Sequence, residues 1–459
     1  MSNRIAELAR EGGVVGAGGA GFPTHIKLDA QVEYVVVNGA ECEPLLMVDQ
    51  MLLVRDALRL ADMLEEVRQV LGANEGRIAI KAKYKEAIEA VKEAIGRYPQ
   101  LRIVPLDDFY PAGDEFVLVY ETTGRLVPQG GIPLEVGVVV LNVETLWNLA
   151  EVREGRPVTH KWVTVAGAVV QPGTFHVPLG VSIWETVKLT GGPSTSDFAV
   201  LDGGPMMGKL VKNLSDPVTK TTKGLVVLPS TSPVIQVRAR PLASILHQAR
   251  AACCQCQECT MLCPRYLLGH ELAPHKVILA SSYLGSQVGE PITAAFLCSE
   301  CGLCDLYACP MGLSPRRVNQ ALKEEMSRWL KNPHKGAPSG VHPWRSYRRV
   351  PVKRLISSLG LKHYERPAPA KVVDILPRRV VIPLRQHIGV PAIPVVNVGD
   401  KVETGQLVAE IPEGKLGSRL FASISGWVTD CTSSAIVITS DVRQEEDRED
   451  ETCVGLNRI

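Results

Sequence analysis

Nine of the twelve cysteines in this chain lie between Cys253 and Cys309, in two tight runs. The first is Cys253-x2-Cys256-x2-Cys259-x3-Cys263-Pro264, and the second is Cys298-x2-Cys301-x2-Cys304-x4-Cys309-Pro310. Three closely spaced thiolates on one loop reach three corners of an iron-sulfur cube. The remote Cys before Pro supplies a fourth ligand, which in two-cluster ferredoxins goes to the other cluster. The spacing therefore predicts two [4Fe-4S] clusters with crossed ligation: Cys253, Cys256 and Cys259 with Cys309, and Cys298, Cys301 and Cys304 with Cys263. Structural zinc usually draws on two separated Cys pairs and is disfavoured. The second run carries one extra residue before Cys309, which bears on loop geometry more than on ligation. Cys254, Cys431 and Cys453 have no such spacing and read as bystander thiols.

A disulfide framework would need an oxidising compartment. The amino terminus places Glu7 and Arg10 where an export signal needs an apolar core, so the expectation is a cytoplasmic protein with reduced thiols. No run approaches the ~18 apolar residues of a membrane span, so membrane association is expected only through a partner. The charges nearly cancel, with 50 Lys+Arg against 49 Asp+Glu, which gives no global pull toward nucleic acid.

At ~150 residues per domain, 459 residues suggest about three domains, and the pattern reads as multidomain α/β. Residues 1–155 alternate strand and helix, with short apolar strands at 34–37, 78–82 and 136–141. Residues 156–240 read as a strand-turn-strand-helix unit of β-grasp type, and 241–332 as a helical, ferredoxin-like domain around the cysteines. Residues 333–370 carry Pro333, Pro338, Pro343 and Pro351 between Arg345, Arg348, Arg349 and Arg354, and read as an extended, solvated linker. Short Val/Ile-rich strands fill 371–440, an all-β module. An acidic tail, 441–459, is expected to be disordered.

Two polar motifs precede the cysteines. Gly16-Ala17-Gly18-Gly19-Ala20-Gly21-Phe22-Pro23-Thr24, with Lys27, offers backbone N–H groups unobstructed by Cβ and then a cation, chemistry suited to a phosphate and a flat ring. Asn38-Gly39-Ala40-Glu41-Cys42-Glu43-Pro44 follows directly on a strand, where open α/β sheets bind ligands. With Asn142-Val143-Glu144-Thr145, these motifs resemble the flavin subunit of respiratory complex I and its relatives. That resemblance implies that Gly16, Gly18, Gly19, Lys27, Asn38, Asn142 and Thr145 hold FMN. It further implies that Phe22 stacks on the nicotinamide nucleotide and that Glu41 and Glu43 line the pocket. Ala40 stands where the complex I subunit has an acidic residue, so that contact is missing or replaced. Cys42 reads as pocket-lining and His25 as a packing or solvent-facing residue.

Over nearly the whole chain the sequence is similar to a narrower family, the C subunit of the Rnf complex and the cobalamin reductase of propanediol utilisation. Gly203-Gly204-Pro205-Met206-Met207-Gly208 and the stretch from Cys301 to Leu313 belong to that likeness. The carboxy-terminal module resembles a barrel-sandwich hybrid through Val398-Gly399-Asp400, Thr404-Gly405-Gln406 and Ser425-Gly426-Trp427, with Lys415 read as an unmodified hairpin lysine. The family implies that electrons pass from NADH through FMN and two [4Fe-4S] clusters to an acceptor protein or corrinoid, within a larger complex and, for the propanediol branch, in a bacterial microcompartment. A diaphorase subunit and a cluster-only carrier are the alternatives. No Asp-x-His-x-x-Gly corrinoid signature occurs, and no acid/base dyad stands out.

Overall fold

A computed structural model describes residues 4–283, 289–371 and 375–440. The acidic tail and Cys453 lie outside the described residues. The amino-terminal domain is built on a four-stranded parallel sheet in the spatial order Leu101–Leu106, Glu75–Lys81, Tyr34–Gly39, Val138–Asn142. Successive residues of the strand Tyr34–Gly39 serve two cores. Val35 and Val37 pack with helices Ala57–Val70 and Val143–Arg153, and Val36 packs with helix Glu115–Thr123 on the other face. Helices on both faces explain why these strands read as continuous apolar runs rather than alternating ones.

The chain leaves Tyr34–Gly39 toward one neighbour and returns to place Val138–Asn142 on the other side. The strand order reverses there, and such switch points are where open α/β sheets leave a crevice beyond the strand carboxyl ends. Asn38 and Asn142 are register partners at that end. The helix that follows is capped by Asn142, whose side chain accepts from the Glu144 N–H at 3.0 Å.

The second unit pairs His160–Gly167 with Gly173–Pro178 as an antiparallel hairpin. Gly224–Leu228 runs parallel to the hairpin's first strand, and Ala199–Asp202 is antiparallel beyond it. Helix Ile183–Lys188 opens on a capping box of Ser182 and Glu185, which satisfies the first free N–H groups of a short helix. In the third unit, helices Leu242–Ala252, Pro274–Tyr283 and Pro315–Met326 enclose a small core that includes Ile245, Ala249, Ile278 and Val318. The carboxy-terminal module is two small sheets around Val380, Val408, Val428 and Ile438.

The segment expected to be an extended, solvated linker is folded. Val350–Pro351 pairs with Phe109–Tyr110, helix Val352–Ser358 buries Val352, Leu355 and Ile356, and Ala370–Lys371 adds an edge strand to the β-grasp sheet. Three of its arginines are ion-paired, Arg345 with Glu121 at 2.6 Å, Arg348 with Glu258 at 3.2 Å and Arg349 with Asp107 at 3.0 Å, while Arg354 lies over the Tyr307 ring. The prolines mask a helical spacing of apolar residues at 352, 355, 356 and 359, which buries against the core beneath Tyr110 and Cys301.

Candidate functional site

The glycine-rich loop leaves the short helix Arg4–Glu11 and folds back on itself. Gly16 N–H donates to the Phe22 carbonyl at 2.9 Å, and Gly21 N–H to the Gly16 carbonyl at 3.2 Å. Thr145 holds it from below, its Oγ1 accepting from Ala17 N–H at 2.9 Å, while Lys161 Nζ donates to the Ala17 carbonyl at 3.2 Å. A Cβ on Gly18 would stand 3.5 Å from Asn142, and Gly19 has φ +113° with open space beside it. This backbone cradle is one that side chains would fill.

Gly16, Gly18, Phe22, Lys27, Asn38, Asn142 and Thr145 line one cavity of about 420 Å³. Lys27 is partly engaged, pairing with Glu115 at 2.9 Å and donating to the Val140 carbonyl at 3.1 Å. A second cavity, of about 630 Å³, shares Gly18, Asn38 and Asn142 with the first and adds Glu41, Cys42 and Glu43. It reaches Cys298 and Cys301 of the second cysteine run. Gly19 lines neither cavity; the remaining nine residues singled out for flavin and nucleotide converge on this joined space.

Buried charge lies beneath it. Glu41 Oε2 accepts from the backbone N–H of Asp49 and of Gln50, and Lys223 Nζ sits 3.5 Å from Oε1 while pairing with Asp49. Asn142 Nδ2 donates to Asp49 at 3.1 Å. Burial, and then the Asp49 charge, push the Glu41 carboxyl up to about 7 against the opposing pull of Lys223. Burial works against charge on Lys223, but Asp49 and Glu41 outweigh it and hold the ammonium above its ordinary value. Cys42 accepts from Gly113 N–H at 2.6 Å, and burial raises it to about 11, so it stays a thiol. Burial and Arg10 lower His25, in keeping with a packing role.

Glu43 faces elsewhere. Its carboxylate accepts from the N–H groups of Met206 and Met207, each at 2.8 Å, fastening the flavin-side motif to the Gly203–Gly208 loop of the β-grasp unit. Asp49 and Lys223 had no signal in sequence: Lys223 arrives from another unit, 174 positions beyond Asp49. The carboxy-terminal module also reaches the cradle. Ile388 N–H donates to the Gly21 carbonyl at 2.9 Å and its side chain lines the first cavity. Lys220 Nζ ties the Gly13 and Arg419 carbonyls together, each at 2.7 Å.

The cysteines separate into two small cavities. Cys253, Cys256, Cys259 and Cys309 line one; Cys263, Cys298, Cys301 and Cys304 line the other, with Cys259 at its edge. Gln255, Gln257, Glu300 and Gly302 have φ of 53°, 63°, 60° and 82°, the left-handed turns that bend the chain so that successive cysteines face one point. Cys304–Ala308 forms a π-helical turn, which absorbs the extra residue before Cys309. Cys263, Cys301 and Cys304 are buried, whereas Cys256 is exposed. Cys254 and His275 also line the first cavity, and Asn319 and Arg316 the second, but the clustered thiols dominate both and fit an iron-sulfur cluster. Tyr110, from the flavin-side domain, donates to the Cys301 carbonyl at 2.6 Å and joins the two sites. Cys254 is exposed at the outer rim, and Cys431 lies in the carboxy-terminal module. Lys415 is exposed in a turn.

A ligand crevice at the switch point of a parallel sheet, opening onto paired cysteine cavities, defines a flavin and iron-sulfur electron-transfer protein. Three family models match in chain order: the Nuo51 FMN-binding domain over residues 9–151, a 4Fe-4S dicluster domain over 252–314 and the RnfC barrel sandwich hybrid domain over 360–445. The sequence is 45% identical to cobalamin reductase PduS of Salmonella typhimurium and 44% identical to that of Citrobacter freundii, in both cases over 95% of this chain and 96% of the relative. The C subunit of the Na(+)-translocating ferredoxin:NAD(+) oxidoreductase complex of Acetobacterium woodii is 35% identical over 58% of this chain and 59% of that one. The chain belongs to the cobalamin reductase PduS family. Among the described residues, no helix is long and apolar enough to cross a membrane.

Proposed function

We propose that this protein oxidises NADH and delivers electrons to a corrinoid held by a partner protein, using FMN and two [4Fe-4S] clusters. The observation that carries the reading is the pairing of Asn38 with Asn142 at the switch point, in a cavity that also meets Cys298 and Cys301. When bound, a flavin accepts an electron pair and releases electrons singly, and iron-sulfur clusters carry them one at a time. Gly16 and Gly18 would present the backbone to the phosphate, with Gly19 shaping the turn between them and Phe22, and Lys27 would supply a cation. Thr145 fixes the loop, and Asn38, Asn142 and Thr145 would offer amide and hydroxyl groups to FMN, while Phe22 would offer a ring face to the nucleotide. Glu41, near neutrality in pKa, is suited to hold or release a proton beside the flavin.

Cys263, Cys298, Cys301 and Cys304 would hold the cluster nearer the flavin. Cys253, Cys256, Cys259 and Cys309 would hold the outer one, whose exposed Cys256 marks the exit toward the acceptor. The absence of a corrinoid signature from the sequence argues that the acceptor is bound elsewhere in a complex. The Acetobacterium relative favours one second reading, a diaphorase component of a larger reductase.

The test is anaerobic purification with iron, sulfide and FMN reconstitution, then visible spectra before and after NADH. One FMN and about eight irons per chain, both bleached by NADH, are expected. Iron without flavin, or a spectrum NADH leaves unchanged, would favour the cluster-only carrier.

A further inference from the structure

His270 is the buried polar group that the fold leaves without a partner at this cavity. It is 3% exposed and lines the 630 Å³ space between the flavin-side motif and the inner cysteines, yet neither ring nitrogen has a hydrogen-bond partner among the described residues. Buried polar atoms are nearly always satisfied, and one left unmade costs about 1–3 kcal/mol. A histidine used only for packing would normally satisfy at least one nitrogen.

The backbone around it is held firmly. His270 N–H donates to the Arg265 carbonyl at 3.0 Å, and the His270 carbonyl accepts from Leu272 N–H at 2.8 Å. The preceding Gly269 has φ +85° and lies so close to Gly340 that a Cβ there would stand 2.2 Å from its carbonyl oxygen. Ser339 N–H donates to the Gly269 carbonyl at 2.9 Å. The ring is positioned from the side as well, with Phe116 at 5.5 Å between centroids, itself covered by the Arg265 guanidinium at 3.8 Å. Arg265 is neutralised by Asp114. Burial, and then Arg265, bring the imidazole down to about 4, so it is neutral at physiological pH and carries one donor and one acceptor nitrogen.

We propose that His270, contributed by the cysteine-bearing domain, hydrogen-bonds through one ring nitrogen to the amide of a flat redox ring in this cavity. The inference rests on the flavin and nucleotide reading above. The amide belongs either to the nicotinamide carboxamide or to the pyrimidine edge of the flavin; both present a carbonyl beside an N–H. His270 is then a positioning and recognition residue that makes the pocket a product of two domains, so ligand binding senses how the cluster domain is seated.

The experiment uses the full chain, reconstituted anaerobically with iron, sulfide and FMN, as native protein and as His270→Ala, His270→Phe and His270→Gln. FMN affinity is read by flavin fluorescence on titration. NAD+ affinity is read by calorimetry, and NADH-to-dye turnover is split into kcat and KM. Removing one hydrogen bond to a ligand should weaken binding about 5- to 10-fold. The expected result is that loss in Ala and in Phe, with substantial recovery in Gln. Weaker NAD+ and raised KM at unchanged FMN affinity assign the carboxamide; weaker FMN at unchanged NAD+ affinity assigns the flavin edge. Native binding of both ligands by Ala and Phe overturns the proposal while leaving the wider reading intact. A Phe variant that equals native where Ala fails reduces His270 to packing and also overturns it. Native protein that binds neither ligand overturns both.

Discussion

Replacing Gly204 with Ala should loosen the joint between the flavin-side motif and the inner cysteines. A Cβ on Gly204 would lie 2.1 Å from Glu43 Oε2 and 2.5 Å from its Cβ and Cδ, so Glu43 has to leave. Glu43 accepts two backbone N–H bonds at 2.8 Å, and bonds to a charged acceptor are worth about 1.5–3 kcal/mol each. Water in the adjoining cavity can replace part of that, which places the loss near 3 kcal/mol. At 1.4 kcal/mol per tenfold, that is on the order of a hundredfold. Because the chain has several units and a single unfolding midpoint has no clear meaning, the readout is hydrogen exchange by mass spectrometry over residues 203–208. The Met206 and Met207 amides should lose about two decades of protection. Glu43→Gln, which keeps one acceptor oxygen, should lose about one. In the same protein, dye reduction direct from the flavin should survive better than NADH-driven bleaching of the clusters, since Gly302 packs against the Met206 carbonyl at the far side of the loop. Unchanged protection in Gly204→Ala would refute the reasoning, because the glycine would then not be reserving space for Glu43.

Cys304→Ser and Cys309→Ser should each remove one cluster, lowering iron from about eight to about four per chain, whereas Cys254→Ser should leave iron unchanged. Electron paramagnetic resonance of the reduced proteins checks which signal is lost. Lys161→Met leaves Glu144 charged and buried where it also accepts from Trp162 N–H at 3.0 Å. Breaking such a pair from one side should cost about 3–5 kcal/mol, and Lys161→Met with Glu144→Leu should recover part of it, read by hydrogen exchange over helix Val143–Arg153 and strand His160–Gly167. Burial, and then His160, take His176 down to about 3 from 6.5, where its ring stacks on Trp162 at 4.6 Å. The unfolded chain therefore binds a proton the folded chain refuses. Stability should fall as pH drops below about 6.5 and level off near 3, by up to about 5 kcal/mol. His176→Phe should flatten that slope in hydrogen exchange of the His160–Pro178 hairpin, corrected for the intrinsic exchange rate at each pH.

What is legible in the sequence is local. The cysteine runs declare themselves because ligation requires short spacings along one loop; Cys309 lines the cavity of the first run and Cys263 that of the second. The glycine cradle and the Asn38 and Asn142 positions are legible because each sits where a strand ends. Residues that act across units are not. Lys223 meets Asp49, Lys220 bonds Gly13, and Ile388 reaches Gly21, each over a separation no periodic pattern spans. The prolines at 333–351 read as breaks, whereas Pro351 is the residue before helix Val352–Ser358, where a missing N–H costs the helix nothing. Glu43 lines the second cavity, as its motif implies, but its carboxylate is committed to the backbone behind it. Its bonds to Met206 and Met207 show that a carboxylate in a binding motif can serve the joint behind the pocket.

The electrostatics beneath the cradle also explain why the β-grasp unit belongs to the site rather than merely adjoining it. Glu41, Asp49 and Glu144 place three carboxyls under the glycine loop, and the two lysines that oppose them, Lys161 and Lys223, both come from the β-grasp unit. Without that unit the cradle floor would carry uncompensated buried carboxylates, a cost of several kcal/mol and a poor floor for an anionic cofactor. Three carboxyls against two lysines leave one excess negative charge if all are ionised, and burial together with the neighbouring Asp49 favours a proton on Glu41. A ligand whose charge changes on reduction would move that balance at pH values a cell maintains. The flavin-side domain therefore depends on its neighbour for the charge state of its own pocket, and a fragment ending near Arg153 should bind FMN more weakly than the full chain, by fluorescence titration at pH 7. Equal affinity in the two would mean that the lysines stabilise the fold and have no bearing on the ligand.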